Sequence, residues 1–257
     1  MGTSQNHGGS KPGSGLIPPH ADATPGVPTP DPMPDRFRRF RISMGGFVKS
    51  GSAQERDLAL GRYVREASGG SGVGFRKFGA AARAGGAGIV ALGGLAQGAP
   101  GQAAQGAVGA ALRGALGKPV DVAAQILAQA VAPNDESRDR IVVAFEEAIC
   151  SALEGEPTLE AALITDDFLS SVLLEYLTEI VFQDVWIEAG DATNAAVSHT
   201  QLAERENSMR QTVRAMVDAE IANLGAPQLS AMTADQITGF QLNVVRSVLE
   251  IWEGYGE

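Results

Sequence analysis

Cysteine occurs once, at Cys150. A single thiol can close no internal disulfide and cannot build a cysteine-based zinc site, and a reducing cytoplasm is the expected setting. Histidine occurs three times, at His7, His20 and His199, with no pair at metal-ligand spacing. Aromatic residues make up only 5% of the chain against 44% hydrophobic residues, so the core has to be aliphatic and alanine-rich. No apolar run reaches about 18 residues, which argues against a membrane-spanning helix. The first residues lack the basic segment and apolar run of a secretory signal. Alternating apolar and polar runs are missing, so no strand is expected, and no repeat at a solenoid period is visible. The phosphate-loop ending Gly-Lys-Ser/Thr is absent as well.

What is present is unevenly distributed. The 257 residues carry a net charge of -10, which argues against bulk electrostatic binding of nucleic acid. Residues 36–83 nevertheless hold eleven Lys/Arg and three acids, whereas residues 84–257 hold eight and 24. The basic stretch is a solvated helix face or a docking surface. Ahead of it, residues 1–35 contain eight of the 13 prolines and six glycines. Few apolar side chains are there to offset the ordering entropy, so this segment reads as a flexible tail. The division expected is a tail over 1–35, a basic helical collar over 36–74 and a helical body over 75–257.

The collar opens at Arg36-Phe37-Arg38-Arg39-Phe40-Arg41, where Phe37, Phe40 and Met44 recur at helical spacing. Gly45-Gly46 is expected to break that helix. Ser52 and Glu55 have capping-box spacing and predict a second helix to about Glu66, ended by Gly69, Gly70, Gly72 and Gly74. Between Arg83 and Arg113 lie 29 uncharged residues, rich in Gly and Ala. They read as a tight helix pair parted near Pro100, in preference to a membrane-active hairpin. Further helices are expected over 120–131, from Asn134 or Asp135 to about Leu153, from Thr165 to about Ala189, over 195–224, and from a Thr233–Gln236 capping box to about Trp252. The fold class expected is all-α: a multi-helix bundle behind a disordered Gly/Pro-rich tail.

Catalytic apparatus is scarce. Cys150 lies on an apolar helix face beside Glu146 and Glu147, which would raise its pKa and leave an inert thiol. His199 sits at a polar helix start and reads as a solvated residue. Gly69 to Lys77 (GGSGVGFRK) resembles a phosphate cradle but lacks a preceding strand, so an interhelical turn is the better reading. Asp166-Asp167 could chelate Mg²⁺, yet two acids at a helix N-terminus already have a structural role there. No enzyme activity and no cofactor or metal is expected.

The Met1-Gly2 start offers different chemistry. Removal of the initiator Met would present the Gly2 α-amine, whose pKa near about 8 leaves a nucleophilic fraction at neutral pH. Myristoylation requires Ser or Thr at the sixth position, where this chain has Asn6. Composition alone leaves the start as a plain disordered terminus.

Four motifs stand out: Met1-Gly2-Thr3-Ser4-Gln5, Leu16-Ile17-Pro18-Pro19, the Arg36–Arg41 collar with Gly46-Phe47-Val48, and Leu60-Gly61-Arg62-Tyr63-Val64. Together they resemble the QatB family of the four-component Qat antiphage system. The likeness is most specific over about 1–80; the later helices fit the family in character. It implies a non-enzymatic antiviral-defence component that works beside an ATPase, a TatD-like nuclease and QatC, a QueC-like (7-cyano-7-deazaguanine synthase-like) protein. Such a synthase activates a carboxy-deazaguanine with ATP for attack by ammonia. With Gly2 supplying the amine, the product would be a deazaguanine–protein amide. Thr3, Ser4 and Gln5 would then supply hydrogen bonds inside the partner's active-site channel, and Leu16, Ile17, Pro18, Pro19, Arg36, Phe37, Arg38, Phe40 and Arg41 would bind the partner. The alternatives are a structural adaptor with an unmodified tail, or nucleic-acid binding through the collar's cations, with Phe37 and Phe40 stacking on bases.

Overall fold

The computed structural model describes residues 14–96, 107–225 and 227–256. Everything regular among them is helical; the one β feature is an isolated antiparallel bridge between Pro119 and Thr158. No described helix is long and apolar enough to cross a membrane. The expected break at Pro100 lies outside the described residues, between α4 (Gly79–Ala96) and α5 (Ala107–Ala115).

The chain forms two compact units. The first combines Met1–Lys77 with Val181–Met216 and Val245–Glu257; the second combines Phe78–Ile180 with Val217–Val244. Three long helices contribute to both: α8 (Asp166–Ala189), α9 (His199–Asn223) and α10 (Ala234–Glu253).

In the first unit, α1 (Arg38–Ser50) buries Phe40, Met44, Phe47 and Val48, one stripe at helical spacing. The helix runs straight through Gly45-Gly46, where the sequence suggested a break. Gly46 serves close approach, since a β-carbon there would lie 2.8 Å from Glu55 Oε2; one on Gly45 would make ordinary contacts with Ala192 and Ala195 at 3.9 Å. The true stop is Gly51, left-handed at φ 72°, whose N–H returns to the Phe47 carbonyl at 2.7 Å. α2 (Ala53–Arg62) begins where expected and passes through a π turn to Ala67. Ser52 makes no side-chain cap, however, and Glu55, expected to complete a capping box, lies instead against Gly46 of α1. Gly69 and Gly70 take positive φ and end the segment; Gly72 and Gly74 belong to the short α3 (Ser71–Gly74).

In the second unit the described parts of the uncharged Gly/Ala stretch belong to α4 and α5. The glycines of α4 admit larger neighbours: β-carbons at Gly85, Gly86 and Gly88 would overlap Tyr176 and Gln241, Thr238, and Phe145 respectively. α6 (Val120–Val131) buries Ala123, Ala124, Leu127, Ala128 and Val131, and packs on α5 and α7 (Arg138–Ala152). α7 starts three residues beyond Asp135, because that carboxylate accepts from Ser137 N at 2.9 Å and holds a turn ahead of the helix. Thr165 caps α8 through Phe168 N. Thr233 and Gln236 form the reciprocal box at the start of α10, at 3.2 and 2.8 Å.

Candidate functional site: a strapped tail base on a basic collar

Gly2, Thr3, Ser4 and Gln5 lie outside the described residues. The rest of the expected tail departs from a free segment. Residues 14–34 carry no helix, as their prolines dictate, yet residues 14–28 are fastened to the first unit. Leu16 is 8% exposed and Ala21 is buried. Leu16 fills the space above Gly69, where a β-carbon would come within 2.9 Å of its Cδ1.

The fastening is polar as well. Arg76, 4% exposed, donates from Nε and Nη2 to the two carboxylate oxygens of Asp22, at 3.0 and 2.8 Å. It also donates to the carbonyls of Thr24, Val27 and Pro28, at 3.2, 2.7 and 3.3 Å. Ala23 N returns a bond to the Arg76 carbonyl. A bidentate fork with saturated donors is what a buried guanidinium requires. The Arg76 bond holds the Asp22 carboxyl below its ordinary value, against burial. Arg36, 3% exposed, donates from Nη2 to Ser14 Oγ and the Gly15 carbonyl at 3.1 and 3.2 Å. Its guanidinium lies 4.5 Å over the Phe37 ring. Burial lowers its pKa, and Glu188 opposes that shift.

Phe37 and Phe40 are core residues, the latter fully buried. They present no free ring to a base or a partner. Leu16 and Arg36 are likewise committed to intramolecular packing. Of the residues expected to bind a partner, Pro18, Pro19 and Arg38 are exposed, while Ile17 and Arg41 are half-buried. Arg41 donates to the Glu188 carbonyl at 3.1 Å. The exposed part of the collar is a groove lined by Met33, Pro34, Asp35, Arg38, Arg39, Arg65 and Glu66 beside Arg36. Two of its cations have partners within the unit: Arg39 pairs with Glu66 at 3.6 Å, and Arg65 donates to the carbonyls of Glu253 and Tyr255.

Beneath the collar is a polar cluster that the sequence did not signal. Tyr63 Oη donates to Asp184, whose Oδ2 lies 2.6 Å from Lys77 Nζ; Lys77 also donates to Tyr63 Oη at 2.6 Å and to Ser68 Oγ at 3.1 Å. Burial, and then the Asp184 charge, push the Tyr63 phenol well above its ordinary value. The members come from residues 63–77 and from 184, too far apart in sequence for any local motif to reveal them. The cluster is enclosed, with the Lys77 and Asp184 side chains almost wholly out of solvent.

The remaining candidates are accounted for structurally. Cys150 is half-buried, and burial followed by Glu146, Asp121 and Glu147 raises its pKa. The Gly70-Ser71 turn holds a carboxylate of its own chain: Ser71 N and Oγ donate to Glu253. Asp166 accepts from Ser230 N and Oγ, both at 3.0 Å, and those bonds lower its pKa. His199 is an exposed first residue of α9. Among the described residues no group of three or more His, Cys, Asp or Glu could hold a metal ion.

An all-helical chain with a strapped N-terminal segment defines the class of protein. The chain belongs to the QatB family, the Qat anti-phage system associated proteins, whose family model matches residues 69–252. It is therefore associated with an anti-phage defence system. No curated protein and no solved structure matches it. The match covers the Gly/Ala-rich stretch and the later helices, and most of the motifs over 1–80 lie ahead of it.

Proposed function

We infer that the chain is a non-enzymatic component of the Qat defence complex and the acceptor in a conjugation reaction, with a QueC-like partner, QatC, as the catalyst. Family membership, reached through the later helices independently of the tail motifs, is the observation that carries the reading. In the step itself, ATP activates the carboxyl of a carboxy-deazaguanine as a mixed anhydride. The neutral Gly2 amine attacks the acyl carbon, a C–N bond forms, the C–O bond to the phosphate of the activated acyl group breaks, and the amine loses a proton. Gly2 suits the role because glycine has no side chain to hinder entry into an enclosed pocket. The strap supports the reading from the other side, since it fastens the chain immediately after residue 13. The twelve residues 2–13 reach at most about 40 Å when extended. Partner contact would fall to the exposed positions, Arg38 of the collar with Pro18 and Pro19 of the strap. The Qat ATPase and the TatD-like nuclease are the further partners the reading implies.

The test is a Gly2→Pro chain, whose terminal amine is secondary and hindered. Loss of the adduct with an unchanged fold is expected, and normal labelling would sink the reading. The second reading is an adaptor with an unmodified tail. Deleting residues 2–15 separates the two: an adaptor keeps partner binding and defence, whereas an acceptor loses defence. Nucleic-acid binding is the least favoured reading, because its two stacking rings are buried and Arg36 and Arg76 are taken up by the strap.

A further inference from the structure

The strap closes on itself. Arg36 grips Ser14 and Gly15 across 22 positions of sequence. From there the chain runs past Leu16 and Ala21, is held by Arg76 between Asp22 and Pro28, and comes back through Pro34 to Arg36. Residues 14 and 36 are thus the neck of a loop. All of residues 14–34 lie within it, and none adds to the reach of the residues ahead of Ser14.

We propose that this loop is a tether clamp. It sets the length of chain between the Gly2 amine and the body at twelve residues, 2–13, in place of the 34 residues, 2–35, that a free tail would have. Arg36 and Arg76, with Leu16 and Asp22 as their counterparts on the strap, are positioning residues for conjugation. The proposal rests on the reading of Gly2 as the acceptor. Its consequence is quantitative. The effective concentration of a tethered group falls with roughly the -3/2 power of tether length, so opening the clamp lowers it about fivefold. The loss belongs to the step in which the tail of an already docked chain enters the partner's pocket. It should therefore appear in kcat, leaving the KM of the chain unchanged. A strap that merely covered Gly69 would act through body stability or docking, and would move Tm or KM instead.

The experiment uses the full chain with the synthase-like partner, ATP and a carboxy-deazaguanine, following adduct by intact mass. The release variant is Leu16→Asp with Asp22→Ala; both changes lie on the strap and leave every helix residue in place. Hydrogen exchange over 14–28 should be slow in the wild-type chain and fast in the variant. The expected kinetic result is a kcat about fivefold lower at constant KM. Deleting residues 14–34 restores a short tether from the same neck and should restore kcat. Wild-type kcat in the released chain, a change confined to KM, or a deletion chain that stays slow would each overturn the clamp. A wild-type chain that gains no adduct would overturn the Gly2 reading and the clamp with it, whereas fast exchange over 14–28 in the wild type defeats the clamp alone.

Discussion

The two units are held by different physics. In the first, charge is taken inside against opposite charge: Arg76 with Asp22 of the strap, and Lys77 with Asp184 beside Tyr63. In the second, the defining segment has no charge at all, and close packing comes from glycines on α4 that admit Phe145, Tyr176 and Gln241. A buried ion pair tolerates little loss of either partner, because the survivor is left uncompensated. A glycine interface tolerates little gain of volume, because buried rings such as Phe145 and Tyr176 already occupy the space a β-carbon would take. The same overall stability is therefore exposed to opposite kinds of substitution in the two units.

The sharpest way to break that contrast is Asp184→Ala. Lys77 and Asp184 have side chains only 11% and 10% exposed, so stranding the lysine should cost about 3–5 kcal/mol in denaturant unfolding. Replacing both by apolar residues, Lys77→Met with Asp184→Leu, should recover most of the loss. A double variant as unstable as the single one would contradict the ion-pair account. Next comes Gly88→Ala, whose β-carbon would lie 2.6 Å from Phe145 Cε2. It should cost about 1–3 kcal/mol, with recovery on adding Phe145→Leu. A Gly88→Ala chain as stable as the wild type would remove the close-packing argument for α4.

Helix starts supply a smaller comparison. Thr233→Ala removes a reciprocal cap and should cost about 1 kcal/mol. Ser52→Ala, at a position with the same sequence signature and no cap bond, should change stability by less than about 0.5 kcal/mol. Equal effects at the two sites would contradict the distinction drawn between them.

The strap adds a pH test. Arg76 depresses the Asp22 pKa below 3.8. The stabilisation this gives is fully present above the ordinary carboxylate range and is lost as pH falls through the lowered value. Protection of residues 14–28 should therefore be flat from neutral pH down to about pH 4 and should decline below it. A decline between pH 5 and 7 would mean that some other group holds the strap.

The same two capping sequences mark how far the fold was legible beforehand. Strongly punctuated helices were readable: Val120–Val131 between Pro119 and Pro133, Asp166–Ala189 behind Thr165, and α10 behind Thr233. What failed were motifs whose local reading competed with a tertiary contact. Gly45-Gly46 looks like a breaker and is a packing surface, and Glu55 looks like a cap and lies on α1. The strap was hidden for a related reason. A Pro/Gly-rich segment that relies on Leu16 and Asp22 cannot offset its own ordering entropy, and only the distant Arg76 and Gly69 make those two side chains sufficient. Of the candidate site, the helix carrying Phe40 and Met44 was legible, while the burial of Phe37, Phe40 and Arg36 was not. An Arg/Phe alternation reads as exposed cations until the strap and Glu188 are in place.

The most direct test of the central claim is the mass of the N-terminal peptide, measured on full-length chain co-expressed with and without its synthase-like partner. The account predicts an adduct on the Gly2 amine that appears only with the partner and requires ATP. An unmodified glycine under both conditions would contradict it and leave the chain as an adaptor.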